Sequence, residues 1–325
     1  MVGAPRHTAI GFNSMSQLVQ RPPSPALRVY RFLNRPYYWY RPSQIATRLR
    51  SRSSSDTNPA LVRTAWGSQL YCWPDPLGLA VARTGVYDLT VAETLARLTD
   101  AGDTAVDAGA NVGLMSNLLA HRVGHDGRVV SYEPHPLIFE TLARNVVLWT
   151  ADGIEVISHR QAAVSASEGV LPLGIDPDTF AHNKGTASLE YRDSADSTKV
   201  QTVRLDSEFS SSVGVLKLDV EMHELEALRG AHELLSRKLI RDIVFEEHRA
   251  APTPVTTLLE SYGYEIIGIR QGLAGPVITA PAEAFRLKLW DPPALLATTD
   301  PERARQRLRR RGWLCLKSGL TRRTG

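Results

Sequence analysis

The stretch Thr104-Ala-Val-Asp107-Ala-Gly109-Ala-Asn111-Val-Gly113-Leu-Met-Ser116 decides how this chain is read. An apolar strand ends in a carboxylate, turns through two glycines and runs into an amphipathic helix. Gly109 and Gly113 permit turn angles that other residues resist and leave room for a ligand to approach the backbone. Asp107 is expected at the C-terminal edge of its strand, where open α/β sheets bind ligands.

The loop separates two nucleotide chemistries. A dinucleotide site favours G-x-G-x-x-G, but here Asn111 occupies the second glycine position. A carboxylate beside the loop repels a pyrophosphate and suits a cationic amino-acid end, which favours S-adenosylmethionine (SAM) over NAD. Working outward, Arg128–Tyr132 reads as a second strand ending in Glu133-Pro134, 26 residues beyond Asp107. That distance holds one crossover helix, and an acid at the end of strand two can accept hydrogen bonds from a ribose diol.

Strand and helix then alternate. Apolar patterning predicts strands at 104–107, 128–132, 154–157, 213–219 and 241–246, and helices at 88–99, 113–123, 136–148, 222–237 and 253–262. Alternation of this kind gives a parallel sheet with helices on both faces. Residues 160–205 break the period and read as a β-rich excursion over the sheet. Two more strands are expected, at 264–269 and 284–290, joined by a Gly/Pro-rich loop at 271–281. Ahead of the sheet, 61–73 reads as extended with a turn at Trp66-Gly67, and 51–59 as a linker. Short helices are expected at Leu27–Leu33 and Ile45–Arg50 around the aromatic patch Pro36–Tyr40.

A second chemical cluster follows Val213–Leu218. Asp219 ends a central strand, and Glu221, His223 and Glu224 surround the first turn of the next helix. Acids at a helix start also complement its dipole, and His223 can equally be a solvated helix residue. The strand ending at 246 adds Glu246, Glu247 and His248. Asp219, Glu221, Glu246 and His248 are hard ligands, but their spacing matches no metal motif, so no metal is expected. His248, His223 and Asp219 are the candidates for a general base.

Composition bounds the remainder. The chain has 325 residues, 43% hydrophobic, enough for a large α/β core with extensions. Cys72 and Cys315 are the only cysteines, which excludes a disulfide framework and suits a reducing, cytoplasmic compartment. No apolar run approaches the ~18 residues of a membrane span. Charge is segregated: residues 1–60 carry nine Arg and one acid, 301–325 carry eight Arg, one Lys and one acid, and 61–300 hold 20 basic against 32 acidic residues. The ends therefore read as basic extensions folding back on an acidic body, or as surfaces for an anionic partner. The first 55 residues also mimic an organelle transit peptide in composition.

Together these blocks resemble the FkbM family of SAM-dependent O-methyltransferases over about residues 60–300. The carrying residues are Asp107 to Gly113, Glu133-Pro134, Asn145-Val146, Asn183 with Gly185 and Ser188, Arg204-Leu205-Asp206, Lys217 through Ala231, and Glu246 to His248. The resemblance implies a class I, Rossmann-like methyltransferase fold with a mostly parallel seven-stranded sheet. A basic N-terminal extension (1–59) would precede it and a basic tail (301–325) would follow. It implies SAM as cofactor, held by Asp107, Gly109, Asn111, Gly113, Glu133 and Asp219, with Gln161 and Ala162 beside the adenine. It further implies methyl transfer to a hydroxyl of a small molecule or glycan, such as a sugar or a polyketide-like natural product. The family usually has glycine where this chain has Met222, which is expected to fill space at the helix start. An RNA methyltransferase gripping phosphates with its basic ends, and a non-catalytic adaptor on the same fold, are the rival readings. The acidic body disfavours nucleic acid, and homo-oligomerisation is left open.

Overall fold

A computed structural model describes residues 33–41, 58–189, 196–247, 251–285, 293–318 and 320, together with Pro25 and Val29. An antiparallel hairpin, β1 (Ala60–Arg63) and β2 (Gln69–Cys72), precedes the main sheet. The sheet itself draws on β3 (Thr104–Ala108), β4 (Arg128–Tyr132) and β5 (Ile157–Arg160) from the first half of the chain. A separate three-stranded sheet comprises β6 (Ala163–Val164), β7 (Gly169–Gly174) and β8 (Ser197–Val203). This is the excursion expected at 160–205. The main sheet resumes with β9 (Val213–Leu218), β10 (Ile240–Phe245), β11 (Glu265–Gly272), β12 (Gly275–Thr279) and β13 (Ala294–Thr298).

The order across the main sheet is β12-β11-β13-β10-β9-β3-β4-β5. The five strands from β10 to β5 run parallel, and β13 lies antiparallel between β10 and β11. The expected architecture is thus present with eight strands rather than seven. The extra strand is β12, formed where a Gly/Pro-rich loop was expected: the chain reverses after Gly272 and pairs back along β11. Of the strand expected at 284–290, residues 281–284 are helical and 286–290 lie outside the described residues; the closing strand is β13. The strand expected at 154–157 begins only at Ile157.

Chain direction sets the position of the site. From β3 the chain winds outward to β4 and β5, then crosses back to β9 and β10. The switch therefore falls between β3 and β9, and their C-terminal ends open a crevice there. Helices Leu114–Val123 and Pro136–Ala151 cross between the parallel strands, close to their predicted bounds.

The helix expected at 222–237 is two, Glu224–Arg229 and His232–Ser236. Gly230 sits at the break because a Cβ there would collide with the carbonyl oxygen of Ser165. Asp206 then caps the second helix, accepting from the amides of Glu233 (3.1 Å) and Leu234 (3.0 Å).

Both ends of the described chain pack on this body. Pro36–Tyr40 is itself a short helix; most of the two helices expected around it lie outside the described residues. The basic segment expected as a tail forms helix Pro301–Leu308 and then buries Trp313, Cys315, Leu316 and Leu320. Arg303 pairs with Asp100 and Asp242, Arg307 with Asp100 and Arg305 with Glu265, so the basic segment does fold back on acidic groups of the body. Among the described residues no helix is long and apolar enough to cross a membrane.

Candidate active site

The turn after β3 is built by hydrogen bonds to the next strand. The amides of Gly109 and Ala110 both donate to the Tyr132 carbonyl, at 3.0 and 2.9 Å. Gly109 has φ 76°, and a Cβ there would collide with the carbonyl of Asp219. The glycine is therefore required by β9, which passes close alongside. Asn111 also takes a left-handed conformation (φ 52°), which Asn tolerates, and its amide donates to Glu133 Oε2 at 2.9 Å. Gly113 (φ 88°) sits beneath Leu142 and Trp149 rather than facing the crevice.

Glu133 is buried, and its other oxygen accepts from the His135 amide at 2.9 Å. Burial pushes its carboxyl up to about 7, against the pull of those two amides and of Lys217. Asp107 is fully buried, accepting from Ser116 Oγ at 2.6 Å, and Ser116 in turn receives a bond from Ser131 Oγ.

Lys217 joins the two halves of the site. Its ammonium donates to the Gly109 carbonyl at 2.6 Å and forms ion pairs with Asp107 (3.3 Å) and Asp219 (3.2 Å). Those two carboxylates hold its proton above the ordinary lysine range despite burial.

Beyond β9 the backbone makes a tight turn in which Glu221 (φ 50°) and Met222 (φ 73°) are both left-handed. Glu221 faces the crevice. Burial and then the charges of Asp219, Glu246 and Glu224 push its carboxyl up to about 8. Its carbonyl accepts from Ser188 Oγ at 2.5 Å, which seats the 183–189 segment over the turn. His223 is buried, with Nε2 2.9 Å from Ser165 Oγ, so it is not a solvated helix residue. Met222 is 59% exposed and does not border the cavity, so it does not fill space at the helix start as expected. A glycine at that position would ease the left-handed turn.

These groups border one cavity of about 520 Å³, within the range of small-molecule sites. Gly109, Asn111, Glu133, Ala162, Asp219 and His223 all line it. Asp107 and Gly113 do not: the first acts through Lys217, and the second serves packing of the following helices. Gln161 is exposed and does not line the cavity either, because only the next residue, Ala162, turns inward. His248 lies outside the described residues. Among the described residues no group of three His, Cys, Asp or Glu is arranged to hold a metal ion.

Sequence reasoning left several lining groups unassigned. Lys217 borders the cavity from β9, and Tyr87 and Asp88 from the start of helix Leu89–Leu98; Glu221 and Glu246, expected at the strand ends, line it as well. Lys217 carried a signal in the quoted block, as a lone cation in an otherwise apolar strand. Tyr87 and Asp88 carried none beyond helix capping, since their approach to the site is tertiary.

The chain is similar to known methyltransferases. Residues 107–266 match the family model described as the Methyltransferase FkbM domain. Methyltransferase sdnD of Sordaria araneosa is 28% identical over 193 residues, covering 50% of this chain and 73% of that protein. Methyltransferase 1 of Beauveria bassiana is 26% identical over 197 residues, covering 53% of this chain and 76% of that protein. Among solved structures, the FkbM methyltransferase from Methylobacillus flagellatus aligns with a TM-score of 0.40 and 19% identity, covering 60% of this chain and 43% of that one.

Proposed function

We propose, from the match of residues 107–266 to the FkbM methyltransferase domain model, that the chain binds SAM and transfers its methyl group to a hydroxyl oxygen of a small molecule or glycan. The carrying observation is the gathering of Asp219, Glu221 and Glu246 with Glu133 around one cavity at the β3/β9 switch point.

The donor set suits SAM. Glu133 presents a carboxylate at the end of β4, already fixed by two amides, with lone pairs left for a ribose diol. Ala162 gives a small apolar wall for adenine. The acids at the end of β9 suit a molecule bearing both an ammonium and a sulfonium. When bound, SAM supplies an electrophilic methyl group: the sulfur–carbon bond breaks, an oxygen–carbon bond forms, and a neutral thioether and the hydroxyl proton are left.

The chain's residues then have two tasks. The first is alignment of the acceptor oxygen, which provides most of the acceleration available to such a displacement. The second is removal of the proton. Asp219 is engaged by Lys217, His223 by Ser165, and His248 lies outside the described residues. Glu133 is fixed at both oxygens by the amides of Asn111 and His135, which leaves Glu221, at the end of β9 and with its proton affinity raised to about 8, as the carboxylate able to take a proton. We assign it that role. The acid-lined cavity disfavours a polyphosphate acceptor, which weighs against RNA.

The test is transfer of an isotopically labelled methyl group from SAM to a panel of hydroxylated acceptors, with the product treated with mild base. A base-stable methyl ether is expected, with its rate lowered about 10²–10⁴-fold in Glu221→Gln. A base-labile ester or an N-methyl product would overturn the hydroxyl assignment.

A further inference from the structure

The cavity extends beyond the groups that suit the methyl donor. Its remaining wall comes from segments the donor leaves unused, and the first of these is 33–41. Asn34 and Gln271 exchange amide bonds: Asn34 Nδ2 donates to the Gln271 carbonyl (3.1 Å), and Gln271 Nε2 donates to the Asn34 carbonyl (2.6 Å). Both side chains are buried, which fastens the segment to β11. At its other end Arg41 reaches the Thr84 carbonyl, on helix Pro76–Thr84. Between these anchors Tyr37 and Tyr38 line the cavity.

The neighbouring wall is largely aliphatic, with Arg83 and Thr84 at its edge. Leu77 and Ala80 come from helix Pro76–Thr84, Val86 from the turn after it, and Leu189 from the excursion. Leu189 directly follows Ser188, which is bonded to the Glu221 carbonyl, so this wall adjoins the acids at the end of β9. Leu77, Ala80, Val86 and Leu189 offer no side-chain partner to the ring hydroxyls of a pyranose, each of which needs one once out of water. They suit a fused-ring or branched carbon skeleton.

We propose that segment Asn34–Tyr38 and helix Pro76–Thr84 form an apolar acceptor compartment, and that the methyl acceptor is a hydroxyl on an apolar carbon skeleton rather than on a free sugar. The inference rests on the methyltransferase reading above and narrows its acceptor. Arg35 and Arg83 border the same compartment, which makes an anionic apolar probe appropriate.

The experiment is a fluorescence titration of the full chain with 1-anilinonaphthalene-8-sulfonate, with and without saturating S-adenosylhomocysteine (SAH). One site is expected in both conditions. Ala80→Asp and Leu77→Asn, which leave the donor groups untouched, should each weaken it at least tenfold. Asn34→Ala, which loosens the latch, should act in the same direction. SAH affinity by calorimetry should stay within twofold in all three. 1-Naphthol should displace the probe and methyl α-glucopyranoside should not. Probe binding indifferent to all three substitutions would overturn the proposal, as would competition between probe and SAH or displacement by the glucoside alone. Failure of wild-type protein to bind SAH would strike the donor reading instead, and the response of the probe to Ala80→Asp would still decide this one.

Discussion

Lys217 and Asp107 face each other across the boundary between β9 and β3, ammonium to carboxylate at 3.3 Å, both buried. The same ammonium holds the Gly109 carbonyl and Asp219. The glycine turn and the acid at the end of β9, both proposed to hold the donor, are thus tied to one cation. Asp107 does not border the cavity, yet the glycine loop and the β9 carboxylates both depend on it.

Asp107→Ala is therefore expected to act on the fold before it acts on the ligand. Lys217 keeps the Gly109 carbonyl and the one-third-exposed Asp219, while Ser116 Oγ loses its acceptor, so the cost falls below that of a wholly unpaired buried charge, at about 1–3 kcal/mol. Chemical denaturation should show a loss of that order, and SAH binding should weaken through the displaced loop. Lys217→Met combined with Asp107→Leu should recover much of the stability but not the binding. Unchanged stability in Asp107→Ala would mean that Asp219 and the Gly109 carbonyl suffice to hold Lys217.

The acids predict a pH dependence with a definite sign. Glu133 and Glu221 both have raised carboxyls, about 7 and about 8, with burial as the leading cause. The folded chain thus holds more protons than the unfolded chain above the ordinary carboxylate range. This contribution is fully present below about 4.5 and is lost as pH rises through 7 and 8. The Tm of the ligand-free protein should fall between pH 6 and 9, and Glu221→Gln should flatten the upper part of that fall. SAM carries a sulfonium that SAH lacks, so the ratio of SAM to SAH affinity should increase over the same range. A ratio independent of pH would remove Glu221 from the neighbourhood of the sulfonium.

At Met222 a backbone rule gives a stabilising substitution. A non-glycine residue at φ 73° is strained, and its side chain is 59% exposed. Met222→Gly removes that strain at some loss of chain entropy in the unfolded state. The balance should favour the variant by about 0.5–1 kcal/mol, read as a raised denaturation midpoint with unchanged slope. A destabilised variant would show that the methionine makes contacts worth more than the strain.

Local signals carried the parallel half of the sheet. β3, β4, β9 and β10 are short apolar runs bounded by turn residues, and their crossover helices keep a clear 3.6-residue period. The acids at the strand ends were legible for the same reason, since topology alone places strand C-termini at the crevice. What escaped was set by contacts distant in sequence. Gly230 breaks a helix because Ser165 passes behind it, and Pro276 sits inside β12 because that strand pairs along only one edge. Asp107 and Gly113 read as ligand contacts, yet neither borders the cavity, a placement set by Lys217, Leu142 and Trp149. Helix Leu89–Leu98 gave an apolar face correctly, yet its opposite face is buried too, under residues more than 200 positions away.

That opposite face gives the last prediction. Glu93 is fully buried and accepts from the amides of Leu314 (2.8 Å) and Cys315 (2.9 Å) and from Arg97 Nε (2.5 Å). Arg97 extends the contact, donating to the carbonyls of Arg307, Arg310 and Gly312. Two charged side chains in the middle of a core helix thus clasp the chain end, with Trp313 and Leu316 packed alongside. Glu93→Gln keeps the shape but turns one acceptor into a donor facing amides and a guanidinium. A loss of about 2–4 kcal/mol is expected, since a buried donor and a buried charge are both left unsatisfied. Truncation after residue 300 should be worse, exposing the helix that borders the cavity at Tyr87 and Asp88, and should abolish cooperative unfolding. Truncation after Leu320 removes only residues beyond this clasp and should leave Tm and SAH affinity unchanged. If truncation after residue 300 were equally harmless, the clasp would contribute nothing to the fold and the basic segment would be a dispensable tail.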